Sequence, residues 1–224
     1  MNIKNCFYSD NKFGMNYFVA FPKEYEELPL IVYLHGAGER GKNIEHLYRH
    51  GIPKLLKEGK EYPAIILCPQ CPEMYVWDNV VADLKGIIDS VVNEYGVKND
   101  RIAITGSSMG GFGTWMMGKT YPTFFSGIAP VAGGGMSWRT SKLVSTPVFA
   151  VHGTVDCAVP IVYSQLMVDG VNGYGGIATL LKLDDMGHND GIDYAYRNTE
   201  LIDWLIKQRR TNFDYIKEFC EDLF

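Results

Sequence analysis

Residues 101–113 read Arg-Ile-Ala-Ile-Thr-Gly-Ser-Ser-Met-Gly-Gly-Phe-Gly. The apolar run 101–105 predicts a strand and 109–121 a helix, so the Gly-x-Ser-x-Gly centred on Ser108 falls on a strand-to-helix turn, a nucleophile elbow. A serine hydroxyl becomes a nucleophile only when it stands clear of the backbone and a base takes its proton. The turn meets the first need, because Gly106 and Gly110 let the chain reverse tightly without steric clash. Gly110, Gly111 and Gly113 mark where the first turn of the helix packs closely on the sheet.

The second need is a base. The chain holds five histidines, His35, His46, His50, His152 and His188. Behind such an elbow the chain order is serine, acid, histidine, which leaves His152 and His188. His188 lies in Asp184-Asp185-Met-Gly-His188, after the apolar run 177–183, and is read as a loop residue ahead of a helix beginning near Ile192. His152 ends the run 147–151 and opens His-Gly-Thr-Val-Asp156, where a tight turn at Gly153 brings Asp156 to the edge of the sheet. Ser108, His188 and Asp156 are therefore the candidate nucleophile, base and orienting acid. Asp184 and Asp185 are rivals for the acid, disfavoured because the orienting carboxylate normally arrives on a separate loop.

An oxyanion needs prepositioned donors. The Met109 backbone N–H is one candidate. The other comes from the loop after strand 30–34, His35-Gly-Ala-Gly-Glu-Arg-Gly41, where Ala37 is the expected donor and Gly36 the near alternative. His35 is expected to hold that loop by a side-chain hydrogen bond. Glu39 and Arg40 are expected to brace it as an ion pair, ahead of a role for Arg40 against an anionic substrate.

These motifs resemble the α/β-hydrolase serine esterases, in particular the compact branch that includes prolyl-oligopeptidase-like, carboxylesterase/phospholipase, and feruloyl or acetylxylan esterases. The resemblance rests on the 35–41 loop, on Pro69-Gln-Cys-Pro72 followed by Trp77, on 106–115, on His152-Gly-Thr-Val-Asp156 with Val159-Pro160, and on Gly187-His188. It implies an α/β-hydrolase fold with a mostly parallel central sheet, helices on both faces and no large cap domain. It also implies hydrolysis of carboxylic esters through a Ser-His-Asp triad and an acyl-enzyme, without a cofactor. A small peptidase or thioesterase of the same fold is the alternative, and a noncatalytic hydrolase-fold binding protein a more distant one.

Composition agrees. The 224 residues, 46% of them hydrophobic, suit one α/β domain with a buried sheet, its core over about 16–206. Strands are predicted at 16–21, 30–34, 64–67, 101–105, 127–131, 148–151 and 177–183. Val80, Val81, Leu84, Ile87, Ile88, Val91 and Val92 fall at helical spacing, as do Ala195, Leu201, Ile202, Leu205 and Ile206 in one last helix. In the tail 211–224, Phe213, Ile216, Phe219 and Leu223 predict an extra helix that docks on the body or on a partner subunit, the body being favoured. The net charge of −5 with interspersed signs offers no nucleic-acid footprint.

No run approaches the about 18 apolar residues of a membrane span, and the first residues have no signal-peptide core, so a cytoplasmic location is expected. The five cysteines, Cys68-Pro-Gln-Cys71 among them, lack a second Cys/His pair, so no metal site is expected. A monomer or small homo-oligomer acting on a small-molecule ester is the expected form. Only residues 132–146 separate strands 127–131 and 148–151, so the site is predicted to be open, suited to short acyl groups or to acyl groups on a sugar or aryl alcohol. Trp77, Trp138, Met136 and Arg40, with Tyr75 and Met186, are the candidate substrate-binding residues.

Overall fold

The computed structural model describes residues 1–9 and 13–210 of the chain. Its strands are β1 (Asn2–Tyr8), β2 (Met15–Phe21), β3 (Leu30–Leu34), β4 (Ile65–Pro69), β5 (Ile102–Ser107), β6 (Gly127–Val131), β7 (Val148–Gly153) and β8 (Ala178–Leu183). Its helices are α1 (Gly51–Lys57), α2 (Val81–Tyr95), α3 (Met109–Thr120), α4 (Val162–Gly173), α5 (His188–Asn198) and α6 (Leu201–Lys207).

The strands form one eight-stranded sheet in the order β1-β2-β4-β3-β5-β6-β7-β8. β2 pairs antiparallel with β1 and β4, and every pair from β4 to β8 is parallel. The inner strands β3 to β7 are buried throughout and mostly apolar because helices cover both faces. Val32, Leu34, Leu67, Ile102 and Ile104 pack with residues of α2, α3 and α4, whereas Ile31, Tyr33, Ile66, Cys68 and Ala103 pack with residues of α1, α5 and α6. This alternation is the two-residue period of a pleated strand. On α2, Leu84, Ile87, Ile88 and Val91 are fully buried, each contributing about 1.5–3 kcal/mol. The helix stops at Gly96, whose left-handed φ of 65° lets its N–H reach the Val92 carbonyl.

Three features differ from expectation. β1 is an additional strand: its side chains are mostly exposed at the sheet edge and it pairs only with β2, so no apolar run marks it. The last helix is two helices, α5 and α6. Thr199 divides them: its extended backbone (φ −107°, ψ 170°) ends α5, while its hydroxyl donates to the Ala195 carbonyl at 2.6 Å and accepts the N–H of Leu201, the first residue of α6, at 3.3 Å. The helix expected near Ile192 starts four residues earlier, with His188 as its first residue after Gly187, and Asp190 sits in that first turn where acidic residues favour the helix.

The extra helix expected at 211–224 lies outside the described residues. Between β6 and β7 the chain forms only a 3-10 segment, Ser137–Leu143. Among the described residues, no helix is long and apolar enough to cross a membrane, and no group of His, Cys, Asp or Glu side chains is gathered to hold a metal ion. Cys68 and Cys71 are buried free thiols.

Candidate active site

The elbow follows from close packing at two glycines. A Cβ on Gly110 would run into the Leu34 carbonyl, and one on Gly106 into the Gly110 carbonyl, so both positions exclude any side chain. Ser108 between them takes φ 55° and ψ −118°, a backbone conformation that L-residues rarely adopt. Its N–H donates to the Val131 carbonyl at 3.0 Å, and its carbonyl accepts the Phe112 N–H at 3.1 Å, so β6 and α3 hold it in place.

Ser108, His188 and Asp156 arrive from the ends of β5, β8 and β7. His188 Nε2 lies 2.9 Å from Ser108 Oγ, and His188 Nδ1 lies 2.6 Å from Asp156 Oδ2. Asp156 Oδ1 accepts the backbone N–H groups of Ala158 and Val159 at 2.9 and 2.8 Å. Facing a carboxylate oxygen, Nδ1 carries the ring proton. Nε2 is then the free base and accepts the serine O–H. The Asp156 side chain is fully buried and that of His188 is 19% exposed, so the acid end of the relay is dry and the base end is open. Asp184 and Asp185 are exposed, and the carboxylate on Nδ1 is Asp156.

His152, left without a role in the sequence reading, is part of this arrangement. Its buried ring donates from Nε2 to the Val159 carbonyl at 2.7 Å, with Asp156 Oδ2 at 3.3 Å. On the other side, Nδ1 meets Ser164 Oγ at 2.8 Å, and that hydroxyl reaches the Gly133 carbonyl at 2.7 Å. Burial holds the His152 pKa below the ordinary histidine value. The ring thus packs the Asp156 loop against α4 and the segment after β6. The four-residue spacing of His152 and Asp156 was visible in the sequence; Ser164 and Gly133 as ring partners were not.

Met109 and Ala37 are each the first residue of a helical turn, where a backbone N–H has no acceptor inside the helix. Gly36, just before Ala37, sits against Ser108: a Cβ there would be 3.6 Å from the serine Cβ. The loop is held by His35, whose buried ring donates from Nδ1 to the Gly36 carbonyl and accepts the Cys71 N–H on Nε2 at 2.9 Å. Burial pushes its pKa down to about 4, and the neutral ring is the form both bonds require.

Glu39 and Arg40 do not form the expected ion pair. Arg40 donates to the carbonyls of Ala37 and Tyr75 at 2.9 and 3.4 Å. The Glu39 carboxylate is buried 3.8 Å from His35 Nδ1, and burial raises its pKa while lowering that of His35, so that contact is no salt bridge either.

The candidate substrate-binding residues separate. Trp77 is fully buried: its ring fills the notch at Gly113 and its Nε1–H donates to the His35 carbonyl at 3.0 Å, tying the 35–41 loop to α3. It belongs to the core beneath the site and is not a lining residue, because an indole packs on glycine far better than on solvent. The Tyr75 ring lies tilted at 57° against that of Phe13, and Met186 packs partly buried on the α5 side of the sheet. Met136 and Arg139 line a cleft of about 460 Å³ beside α3, and Trp138 stands 69% exposed with the Arg139 guanidinium 5.5 Å from its ring.

Comparison with known proteins places this arrangement. The phospholipase/carboxylesterase family profile matches residues 77–192, just over half of the chain, from Trp77 through Ser108 and Asp156 to beyond His188. Poly(3-hydroxyalkanoate) depolymerase C of Paucimonas lemoignei is 32% identical over 93 residues, 42% of this chain and 22% of that protein. A thermostable esterase of known structure superposes with a TM-score of 0.80 at 26% identity, over 93% of this chain and 63% of its own. The feruloyl esterase module from Clostridium thermocellum superposes with a TM-score of 0.74 at 14% identity, over 95% and 90% of the two chains, a likeness of fold. The chain therefore spans less than a quarter of the curated relative and under two thirds of the thermostable esterase. With its matched segment running across the elbow and the loops that meet it, the chain belongs to the phospholipase/carboxylesterase family of α/β-hydrolases.

Proposed function

We propose that the protein is a serine carboxylesterase acting through an acyl-enzyme. The observation that carries this reading is the unbroken relay Asp156–His188–Ser108, at 2.6 and 2.9 Å, in which a proton held on Nδ1 by the carboxylate leaves Nε2 free. His188 takes the Ser108 proton as Oγ attacks the ester carbonyl. The oxyanion is met by the amides of Met109 and Ala37, and the imidazolium is stabilised by Asp156. His188 then protonates the departing alkoxide, leaving Ser108 acylated. Water, deprotonated by the same ring, attacks the acyl carbon and releases the carboxylic acid and free serine.

Only a short 3-10 segment lies where a lid would be inserted between β6 and β7, which favours short acyl groups, or acyl groups borne on a bulky sugar or aryl alcohol. Replacing Ser108 by Ala should abolish hydrolysis of p-nitrophenyl acetate while the thermal unfolding profile is retained, and a fluorophosphonate adduct should map to Ser108. Turnover near the parent rate in the Ser108→Ala protein would refute the proposal.

A further inference from the structure

The cleft beside α3 has a charge composition unlike that of the chain. The protein carries a net −5, yet the lining holds Lys119, Arg139 and Lys142 against a single carboxylate, Asp78. The cations come from two elements facing each other, Lys119 from the end of α3 and the other two from the Ser137–Leu143 segment. Lys119 is held there: its ammonium donates to the Met136 carbonyl at 3.1 Å, and burial together with Arg139 lowers its pKa. Gathering like charges in a partly desolvated cleft costs free energy that an anion would offset. Phe112, Met116 and Met136 supply apolar lining between the cations, so the cleft suits an organic chain ending in a negative group rather than a bare inorganic ion.

Both elements that wall the cleft are tied to the Ser108 backbone. One wall is α3, whose Phe112 N–H bonds to the Ser108 carbonyl, and the other is the segment leaving Val131, whose carbonyl holds the Ser108 N–H. At about 1.5 Å per residue, Phe112 lies about 6 Å and Lys119 about 17 Å along the α3 axis from Ser108. We propose that this cleft selects esters whose far end carries a carboxylate, with Lys119 and Arg139 as the specificity-determining residues. The volume of about 460 Å³ lies within the range of sites for small organic ligands. As a substrate site, the proposal rests on Ser108 being the nucleophile.

The test compares 8-acetoxyoctanoate with octyl acetate, which differ in a terminal carboxylate on the alcohol part. The parent protein should favour the charged ester in kcat/KM, and the preference should fall about ten-fold in Lys119→Gln/Arg139→Gln. It should persist in Lys119→Arg and shrink as salt is raised. A second arm needs no turnover: 8-acetoxyoctanoate is titrated calorimetrically into the Ser108→Ala protein with and without the double substitution. Binding weakened by the substitution supports the cleft even where no ester is hydrolysed, in which case only the nucleophile assignment has failed. An unchanged ester preference, or 8-acetoxyoctanoate binding indifferent to the two charges, overturns the proposal.

Discussion

Replacing Asp156 by Asn should disable the base without moving it. Asp156 Oδ1 accepts two backbone N–H groups at 2.9 and 2.8 Å. An asparagine must put its carbonyl oxygen there, because turning its NH2 toward those amides would set donors against donors and forfeit two hydrogen bonds, at about 0.5–1.5 kcal/mol each. The NH2 then takes the place of Oδ2, 2.6 Å from His188 Nδ1. Two donors cannot share that contact, so the ring gives up the Nδ1 proton and carries it on Nε2, pointed at Ser108 Oγ. The serine loses its acceptor. A wrong-tautomer histidine lowers kcat on the order of 10⁴-fold, about 5 kcal/mol of transition-state stabilisation. Stopped-flow and steady-state hydrolysis of p-nitrophenyl acetate would measure it, with the fluorophosphonate labelling rate as a second readout. The thermal midpoint should stay close to that of the parent. An Asp156→Asn protein within ten-fold of the parent kcat would refute the tautomer argument, and a large loss in Asp184→Asn or Asp185→Asn instead would move the acid to those positions.

Gly110→Ala should prevent the elbow from closing, since the new methyl meets the Leu34 backbone on a neighbouring strand; a loss of about 3 kcal/mol or more in urea unfolding, or an insoluble product, is expected. His152→Ala strips a buried partner from the Val159 carbonyl and slackens the Asp156 loop, so kcat should fall up to about a hundred-fold with KM little changed, and imidazole added to the assay should not restore it. His35 gives a pH signature. Its folded pKa of about 4 lies below the ordinary 6.5, so the unfolded chain binds a proton the folded one refuses, and stability falls as pH drops from about 6.5 towards 4. The cost reaches about 3 kcal/mol by pH 4. Urea titrations at pH 7 and pH 4 should show that much less acid sensitivity in His35→Gln, whose amide oxygen can still accept the Cys71 N–H; Glu39, shifted upward, works in the opposite sense but is shared by both proteins.

What was legible in the sequence was local or ordered along the chain. Ser108 was readable because the elbow is a short backbone device whose glycines are dictated by contacts with adjacent strands. Asp156 and His188 were readable as candidates because parallel strands deliver their following loops to one edge. Trp77 was misread because a tryptophan near a presumed site edge looks like a lining residue, and only the notch left by Gly113 in α3 shows that it is core. β1 was missed because an edge strand buries too little to need an apolar pattern. The division at Thr199 was missed because the periodic apolar residues continue across it, and nothing in the sequence there marks the extended backbone at which α5 ends.

The relay also depends on a contact that no motif records. β7 and β8 are adjacent, and Gly153 at the end of β7 lets the Met186 carbonyl come so close that a Cβ would collide with it. The loop bearing Asp156 and the loop leading to His188 therefore press against each other directly after leaving the sheet, which is how residues 32 apart in sequence share a 2.6 Å contact. On the opposite side, the Gly133 carbonyl reaches Ser164 and so His152, and Gly133 itself packs on Gly111 at the start of α3. The helix that follows Ser108 and the loop that bears Asp156 are thereby referenced to the same short segment after β6. A shift of that segment would move Ser108 and Asp156 together rather than apart, while the His188 side is fastened to the Asp156 loop separately, by the Gly153 contact, by the Val155 N–H on the Met186 carbonyl at 3.2 Å and by the Asp185 N–H on the Thr154 hydroxyl at 3.0 Å.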